Sequence, residues 1–447
     1  MSELKKLRRK VYGALKDWAD NGKDECLLVT GARQIGKTFI IEQFIEETST
    51  SHISLNFESN PSLGSMFEGN PSVDQIVSRI MDQHPNFEPI PNDTILFFDE
   101  IQACPDARNS IKKFVTDGRY RVISASSLTW SLHSKKAKDP REYERVIEMR
   151  SLDFEEFLWA MDISECIIST IRKNIHDKTP IDKFIMKKID DYFALFMAIG
   201  GMPRVINEYL VTSRIDRVID EKKKIIARDK LDIKRYSPPT ETEKILKILD
   251  IVPTFLSQEN KKFIFSRLME DNGSTTLPSN DMFAKAIQWL IDSGIIMKCR
   301  QVDNSRLPDE IFTTGRSFKT YMDDTGLLLA TMSDDVTTSI LDGDLCVKNG
   351  GVTENAIAEC LSKSGHELYY FRNSNMDVDF IIEMDGDVVA LGVKPESNNR
   401  SKSLNSMKVN HGLKRCIKFE RANIHASMNG VEIYPLFAAA FIDSMYD

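Results

Sequence analysis

No run of apolar residues in this 447-residue sequence approaches the roughly 18–20 that a bilayer-spanning helix needs. Residues 1–10 carry charges where a secretory leader would have its apolar centre. Membrane insertion and export are therefore not expected, and the cytoplasm is the expected compartment. Cysteine is scarce and scattered: Cys26, Cys104, Cys166, Cys299, Cys346, Cys360 and Cys416 follow no paired spacing, and no CxxC occurs. Neither a disulfide framework nor a zinc site is indicated. There is no internal repeat and no low-complexity tract. Basic residues do not dominate: 59 Lys and Arg face 67 Asp and Glu, a net charge of −8. That balance argues against wholesale non-specific nucleic-acid binding and leaves room for a local basic patch. What is present is ordinary for soluble protein, 41% hydrophobic and 28% charged. The chain is too long for one compact core, so two to four domains are expected.

Apolar periodicity gives the organisation. Residues 5–19 read as an amphipathic helix. Residues 25–30 form a short apolar run that enters a Gly-rich turn, and 39–47 read as a helix, giving strand, loop, helix. Further strands are expected at 52–57, 94–98 and 120–124, the last running into a Ser-rich turn. Strands alternating with helices to about residue 150 imply a mostly parallel sheet covered on both faces. From 153 to 236 the pattern is helical, broken at Gly200-Gly201-Met202-Pro203, where Pro203 is well placed to open a new helix. Helices are expected at 241–252, 261–270 and 281–292, with Ser279 as a cap for the third. A strand at 295–302, a polar turn at 303–308 and a return strand at 318–322 follow; three helices and a hairpin are the layout of a winged helix. A helix at 350–364 then precedes strands at 367–372, 378–383 and 388–393, with Asp385-Gly386 as a hairpin turn.

The segment Gly31, Ala32, Arg33, Gln34, Ile35, Gly36, Lys37, Thr38 fits GxxxxGK[ST] and lies between an expected strand and an expected helix. In such a loop, backbone N–H groups point at phosphates and the following helix adds its positive end. Lys37 is expected to reach the β- and γ-phosphates and Thr38 to ligate Mg²⁺. The strand ending at Phe98 delivers Asp99, expected to hold the Mg²⁺, and Glu100, expected to polarise the attacking water as a general base. ATP and Mg²⁺ are thus the expected ligands. Ser126 or Ser127 in the Ser-rich turn is a candidate for the γ-phosphate or the water, although the turn also reads as an ordinary one. Arg119, Arg121, Arg150 and Arg204 are candidates for an arginine at the γ-phosphate, each also readable as a surface charge.

Several motifs occur in order. They are the Gly31–Thr38 loop, Phe98-Asp-Glu-Ile-Gln102, Asp153-Phe-Glu-Glu-Phe-Leu-Trp159, Gly200-Gly-Met-Pro203, Tyr321-Met-Asp-Asp-Thr-Gly-Leu-Leu328, Thr353-Glu-Asn355, Asp377-Val-Asp-Phe380 and Val393-Lys394. Together they resemble the prokaryotic AAA-type ATP-binding proteins whose C-terminal half is a domain of unknown function similar to restriction endonucleases. The resemblance implies an α/β fold of four parts. These are a P-loop ATPase core at 1–152, a helical lid at 153–238, a winged-helix domain at 239–325 and an endonuclease-like domain at 326–447. It also implies that Asp99 and Glu100 are the Walker B pair, Ser126 or Ser127 the first sensor and Arg204 a second.

Endonuclease-like folds carry an Asp on one strand, a Glu-x-Lys across a hairpin, and often a Glu from the preceding helix, because Mg²⁺ demands oxygen ligands. Glu354, Asp379 and Lys394 fall at suitable positions, but the expected carboxylate two residues before Lys394 is Gly392. A shell that no longer cuts is expected, unless an acid such as Glu396 substitutes; Asp377 and Asp379 also read as solvent-facing edge residues. Residues 394–418 hold Lys394, Arg400, Lys402, Lys408, Lys414, Arg415 and Lys418 against Glu396, a charge run that would suit a DNA backbone or an ordinary solvated face. The third winged-helix segment, 281–292, has only Lys285 as a basic residue, poor for a recognition helix. The expected function is a nucleotide-driven switch or motor acting on a DNA or protein partner, with assembly into an oligomer open. An ATP-dependent nuclease and a non-hydrolysing ATP sensor are the alternatives.

Overall fold

The computed structural model describes residues 5–22, 24–127, 143–258, 261–263, 280–302, 311, 313–396, 402–427 and 429–446. The chain divides into two compact units: Arg8–Ser151 with Asp292–Gly294, and Met1–Leu7 with Leu152–Ile291 and Ile295–Asp447. The expected boundary at 152 falls beside this division, whereas those at 238 and 325 fall inside the second unit. Among the described residues no helix is long and apolar enough to cross a membrane.

The first unit runs α1 (Val11–Asn21), β1 (Cys26–Thr30), α2 (Lys37–Thr48), β2 (His52–Asn56), α3 (Val73–Gln83), β3 (Ile95–Asp99), α4 (Pro105–Asp117), β4 (Arg121–Ser126) and β5 (Glu144–Glu148). The strands form one sheet in the order β2-β3-β4-β1-β5, and every pairing is parallel. β1 and β3 are buried along their whole length, which is why both read as unbroken apolar runs. Phe98 packs edge-on against Phe57, Phe67 and Phe114, fixing β3 in the core. Ser72 opens α3 with a capping box to Gln75. The order matters for function. β4 lies between β1 and β3, so the turn after β4 emerges between the loop after β1 and the acids after β3.

The second unit begins with helices α5 (Phe154–Ala160), α6 (Glu165–His176), α7 (Lys183–Ile199), α8 (Pro203–Thr212), α9 (Ile215–Tyr236), α10 (Thr242–Leu256) and α11 (Asn280–Asp292). Pro203 stands at the start of α8, while α10 runs on through Pro253. After them come β6 (Ile296–Val302), β7 (Thr313–Met322), α12 (Thr325–Ala330), α13 (Asp334–Leu341), α14 (Gly351–Lys363), β8 (Tyr369–Arg372), β9 (Asp377–Met384), β10 (Asp387–Lys394), α15 (Lys402–His411), β11 (Arg415–Glu420), β12 (His425–Ala426) and β13 (Glu432–Pro435). All eight strands form one sheet, β12-β13-β11-β10-β9-β8-β6-β7. The β6–β7 hairpin, expected as the wing of a separate domain, is continuous with the C-terminal sheet through parallel pairing of β6 with β8. Most of the expected helix at 261–270, the cap Ser279 and the turn at 303–308 lie outside the described residues. Asp385 and Gly386 both have positive φ, 50° and 77°, as the two-residue β9–β10 turn requires.

Several of the motifs behind the family resemblance meet in one buried polar knot in this unit. Asp324 accepts from Gly201 N at 2.7 Å and from Leu327 N at 2.9 Å. Glu359 accepts from Thr325 Oγ1 at 2.6 Å and from Lys363 Nζ at 2.6 Å, and Lys363 also donates to Leu152 O at 2.9 Å. Asn355 brackets Met322, accepting from its N at 2.8 Å and donating to its O at 3.1 Å. At Gly201 a Cβ would stand 2.1 Å from Leu152 O, so the chains can cross only at glycine. These residues hold the α7–α8 corner to α12 and α14.

Candidate functional site

The candidate site of the first unit is assembled at the C-terminal ends of β1, β3 and β4. Gly31 leaves β1 with φ 148°, and a Cβ there would lie 2.0 Å from Met149 O, so no side chain fits where the loop passes the end of β5. Gly36 caps α2 in the left-handed region, φ 91°. Lys37, buried on the first turn of α2, donates to the loop's own carbonyls, Gly31 O at 3.0 Å and Ala32 O at 2.6 Å. Burial pushes its pKa down to about 8, against the pull of Glu100 and Asp99.

Asp99 is buried at the end of β3. Its Oδ2 accepts from Thr38 Oγ1 at 3.0 Å and from Asn56 Nδ2 at 2.8 Å, and its Oδ1 from Glu100 N at 3.1 Å. All three donors are neutral. Burial and the neighbouring Glu100 therefore raise the Asp99 pKa, with Thr38 and Asn56 acting against the rise. Hard oxygen donors whose charge no contacting cation cancels fit Mg²⁺. Glu100 turns into the left-handed region, φ 50°, and its carboxylate accepts from Ser127 Oγ at 2.5 Å and from the Gln102 amide. Of the two candidate serines, Ser127, just after β4, reaches Glu100, while Ser126, the last residue of β4, is fully buried.

The candidate arginines are engaged elsewhere. Arg119 pairs with Asp117 and Asp74, and Arg121 donates to Trp18 O and Ala19 O with its guanidinium 3.8 Å over the Trp18 ring. Both lie at the opening end of β4, away from the loop edge of the sheet. Arg150 pairs with Glu148 at 3.0 Å, and Arg33 with Glu58 at 3.0 Å. Arg204 belongs to the second unit and pairs with Glu221. Two residues not singled out from the sequence support the site. Asn56, at the end of β2, holds Asp99. Arg9, buried, donates to Ile35 O inside the loop at 3.0 Å and to Arg150 O at 2.6 Å.

In the second unit Glu354 lies buried on α14, Asp379 on β9 and Lys394 at the end of β10. Asp379 Oδ2 accepts from Val393 N at 2.8 Å, and Lys394 Nζ stands 4.0 Å from it. Glu354 instead faces Lys319 Nζ at 3.0 Å, Lys261 Nζ at 2.8 Å and Tyr321 OH at 2.6 Å. Gly392 supplies no side chain, and a Cβ there would press on Leu404, 3.1 Å from its Cδ1. Glu396, the acid named as its substitute, is engaged by the Cys346 thiol, whose pKa burial and then Glu396 raise. A cavity of about 170 Å³ beside Asp379 is lined by Gly392, Lys394, Lys402, Ser403 and Lys418 among others. The basic run is smaller than its count: Lys414 pairs with Asp387, Arg415 with Glu432 and Lys418 with Glu420, and Arg400 lies outside the described residues.

Residues 23–158 match the family model of an AAA domain, and the Gly31–Thr38 loop and the Asp99–Glu100 pair lie within the matched segment. Residues 190–337 and 349–436 match two domains of unknown function, DUF8612 and DUF4143. A Walker-type ATPase of Pyrococcus abyssi is similar at 14% identity over 73% of this chain and 96% of that one, TM-score 0.43. The Aeropyrum pernix ORC2 protein, solved in ADPNP–ADP complexes, is similar at 11% identity over 76% and 93%, TM-score 0.42. The ORC1 protein of the same organism, solved with DNA, gives 12% identity over 75% and 91%, TM-score 0.30. No curated protein matches the chain.

Proposed function

We propose that the chain hydrolyses ATP in the first unit and uses the turnover to act on a partner through the second. What carries the reading is the convergence of Lys37, Thr38, Asp99, Glu100 and Ser127 from three adjacent parallel strands. Loop N–H groups and the start of α2 bind the phosphates, and Lys37 leaves its loop carbonyls for the phosphate oxygens. Thr38 and Asp99 would hold Mg²⁺, which supplies neutralisation of developing charge on the transferring phosphoryl group. Glu100, aligned by Ser127 and Gln102, takes the proton of the attacking water. A base held by two side chains favours hydrolysis over mere sensing of ATP. An arginine for the γ-phosphate would come from a neighbouring copy.

The endonuclease-like tail is read as non-cutting, because Gly392 supplies no carboxylate where the nuclease pattern needs one. Duplex DNA is the partner to test first, since Lys394 and Lys402 line an open cavity. The deciding experiment is steady-state ATP turnover with Mg²⁺, with and without duplex DNA, beside Lys37→Ala. Turnover lost in the variant and raised by DNA supports the reading. Turnover indifferent to DNA moves the partner to protein, and tight ATP binding without hydrolysis overturns the role of Glu100.

A further inference from the structure

Carboxylates shut away from water need a counter-charge between them, and in a cutting nuclease a divalent ion supplies it. Here the chain already contains one. Both oxygens of buried Glu354 are taken: Lys319 Nζ and Tyr321 OH lie 3.0 Å and 2.6 Å from Oε1, and Lys261 Nζ lies 2.8 Å from Oε2. Lys319 is itself buried, on β7, the strand expected to be a wing. Asp379 spends Oδ2 on a backbone N–H, and Gly392 offers no carboxylate. Among the described residues no three His, Cys, Asp or Glu side chains could hold a metal ion together. The residues of this site therefore do not fit the metal that a nuclease-like fold implies.

We propose that the Lys319 ammonium, seconded by Lys261, is the resident cation of this site and excludes a divalent ion from it. The electrostatics agree. Burial works against the charge on Lys319, but Glu354 and then Asp379 outweigh it and lift its pKa above the ordinary lysine value. Burial likewise works against charge on Glu354, yet Lys319 and Lys261 hold its pKa below the ordinary carboxylate range. An ammonium balances charge but cannot ligate water or lower its pKa as a metal does. The site can then meet a phosphate group without cutting beside it. The inference rests on the nuclease-like reading of the C-terminal sheet and is independent of ATP turnover.

The test is Mn²⁺ binding to the full chain, counted by electron paramagnetic resonance, in an Asp99→Asn background that silences the nucleotide site. This parent is expected to bind no Mn²⁺ at millimolar metal. Lys319→Gln, which keeps a hydrogen-bond donor for Glu354, is expected to gain one Mn²⁺ bound at least about tenfold tighter than anything in the parent, in the range of weak carboxylate sites. Adding Asp379→Asn should remove it. If Lys319→Gln folds poorly, Mn²⁺ should raise its melting temperature, because a ligand of the native state stabilises it. Mn²⁺ bound by the parent and lost with Asp379→Asn overturns the proposal, and metal-dependent DNA cleavage by the parent overturns the nuclease-like but inactive reading with it. A Lys319→Gln protein that neither binds Mn²⁺ nor is stabilised by it overturns the role of Lys319 alone.

Discussion

Each unit of the chain buries a carboxylate on a strand or helix next to a second one, and the two units satisfy them in opposite ways. Asp99 and Glu100 receive only neutral donors: a hydroxyl, an amide and a peptide N–H for the first, a hydroxyl and an amide for the second. Glu354 receives two ammonium groups and a phenol. Neutral donors orient a carboxylate without cancelling its charge, so the site stays able to attract a cation. Cationic donors cancel it, so the site is closed to one. The sign of a buried carboxylate's neighbours is therefore a better guide to metal use than the carboxylate itself.

The largest effect that would break this comparison is catalytic. Glu100→Gln keeps the shape and the Ser127 contact but removes the base, and should lower kcat for ATP about a thousandfold while ATP is still bound. Turnover near the parent level would place Glu100 among structural acids. The next is a pair of stability measurements. Glu354→Gln leaves Lys319 and Lys261 without their counter-charge and should cost about 3–5 kcal/mol in urea unfolding. Asp99→Asn relieves a buried charge that no cation contacts and should be neutral or slightly stabilising. Equal costs at the two positions would erase the distinction.

A third buried charge sharpens it. Lys222 on α9 is fully buried, yet its ammonium donates only to a carbonyl, Ala198 O at 2.6 Å. Burial pushes its pKa down to about 8, with Asp324 and Asp334 pulling the other way. Between about pH 8 and the ordinary lysine value the folded chain has shed this proton and the unfolded chain has not. Through this residue stability therefore rises with pH across that window, and is lower below it. Lys222→Met should gain roughly 1–2 kcal/mol at neutral pH, after the lost hydrogen bond, and flatten the rise. Urea midpoints at pH 7 and pH 9.5 check both.

How much of this was legible depended on sequence distance. The loop from Gly31 to Thr38 and the strands β1 to β4 are local patterns, and the Asp385-Gly386 turn is written in two residues. β5, with burial alternating along Glu-Arg-Val-Ile-Glu, looks like surface and was missed. Asn56, Arg9 and Lys319 escaped notice because their partners lie 43, 26 and 35 residues away. The charge of the basic run at 394–418 is partly offset for the same reason, since Asp387 and Glu432, which pair with Lys414 and Arg415, lie outside it. The helix expected at 241–252 runs on through Pro253 to Leu256, because a helix in its last turn has little left to lose.

Arg9 offers the smallest and most specific effect. A peptide unit is planar and trans, so holding the carbonyl of Ile35 also holds the N–H of Gly36, on the opposite side of that peptide. On the proposed reading that N–H is one of the donors a phosphate would meet. The two guanidinium bonds, to Ile35 O and Arg150 O, thus hold the loop in its binding shape before nucleotide arrives. Arg9→Ala should raise the dissociation constant and KM for ATP about tenfold, near 1.4 kcal/mol, with kcat little changed, because Glu100 and Ser127 sit on other strands. Arg9→Lys carries one donor group where the guanidinium offers two and should fall between. A fall in kcat with KM unchanged would mean that Arg9 serves the chemistry or the fold rather than the shape of the loop.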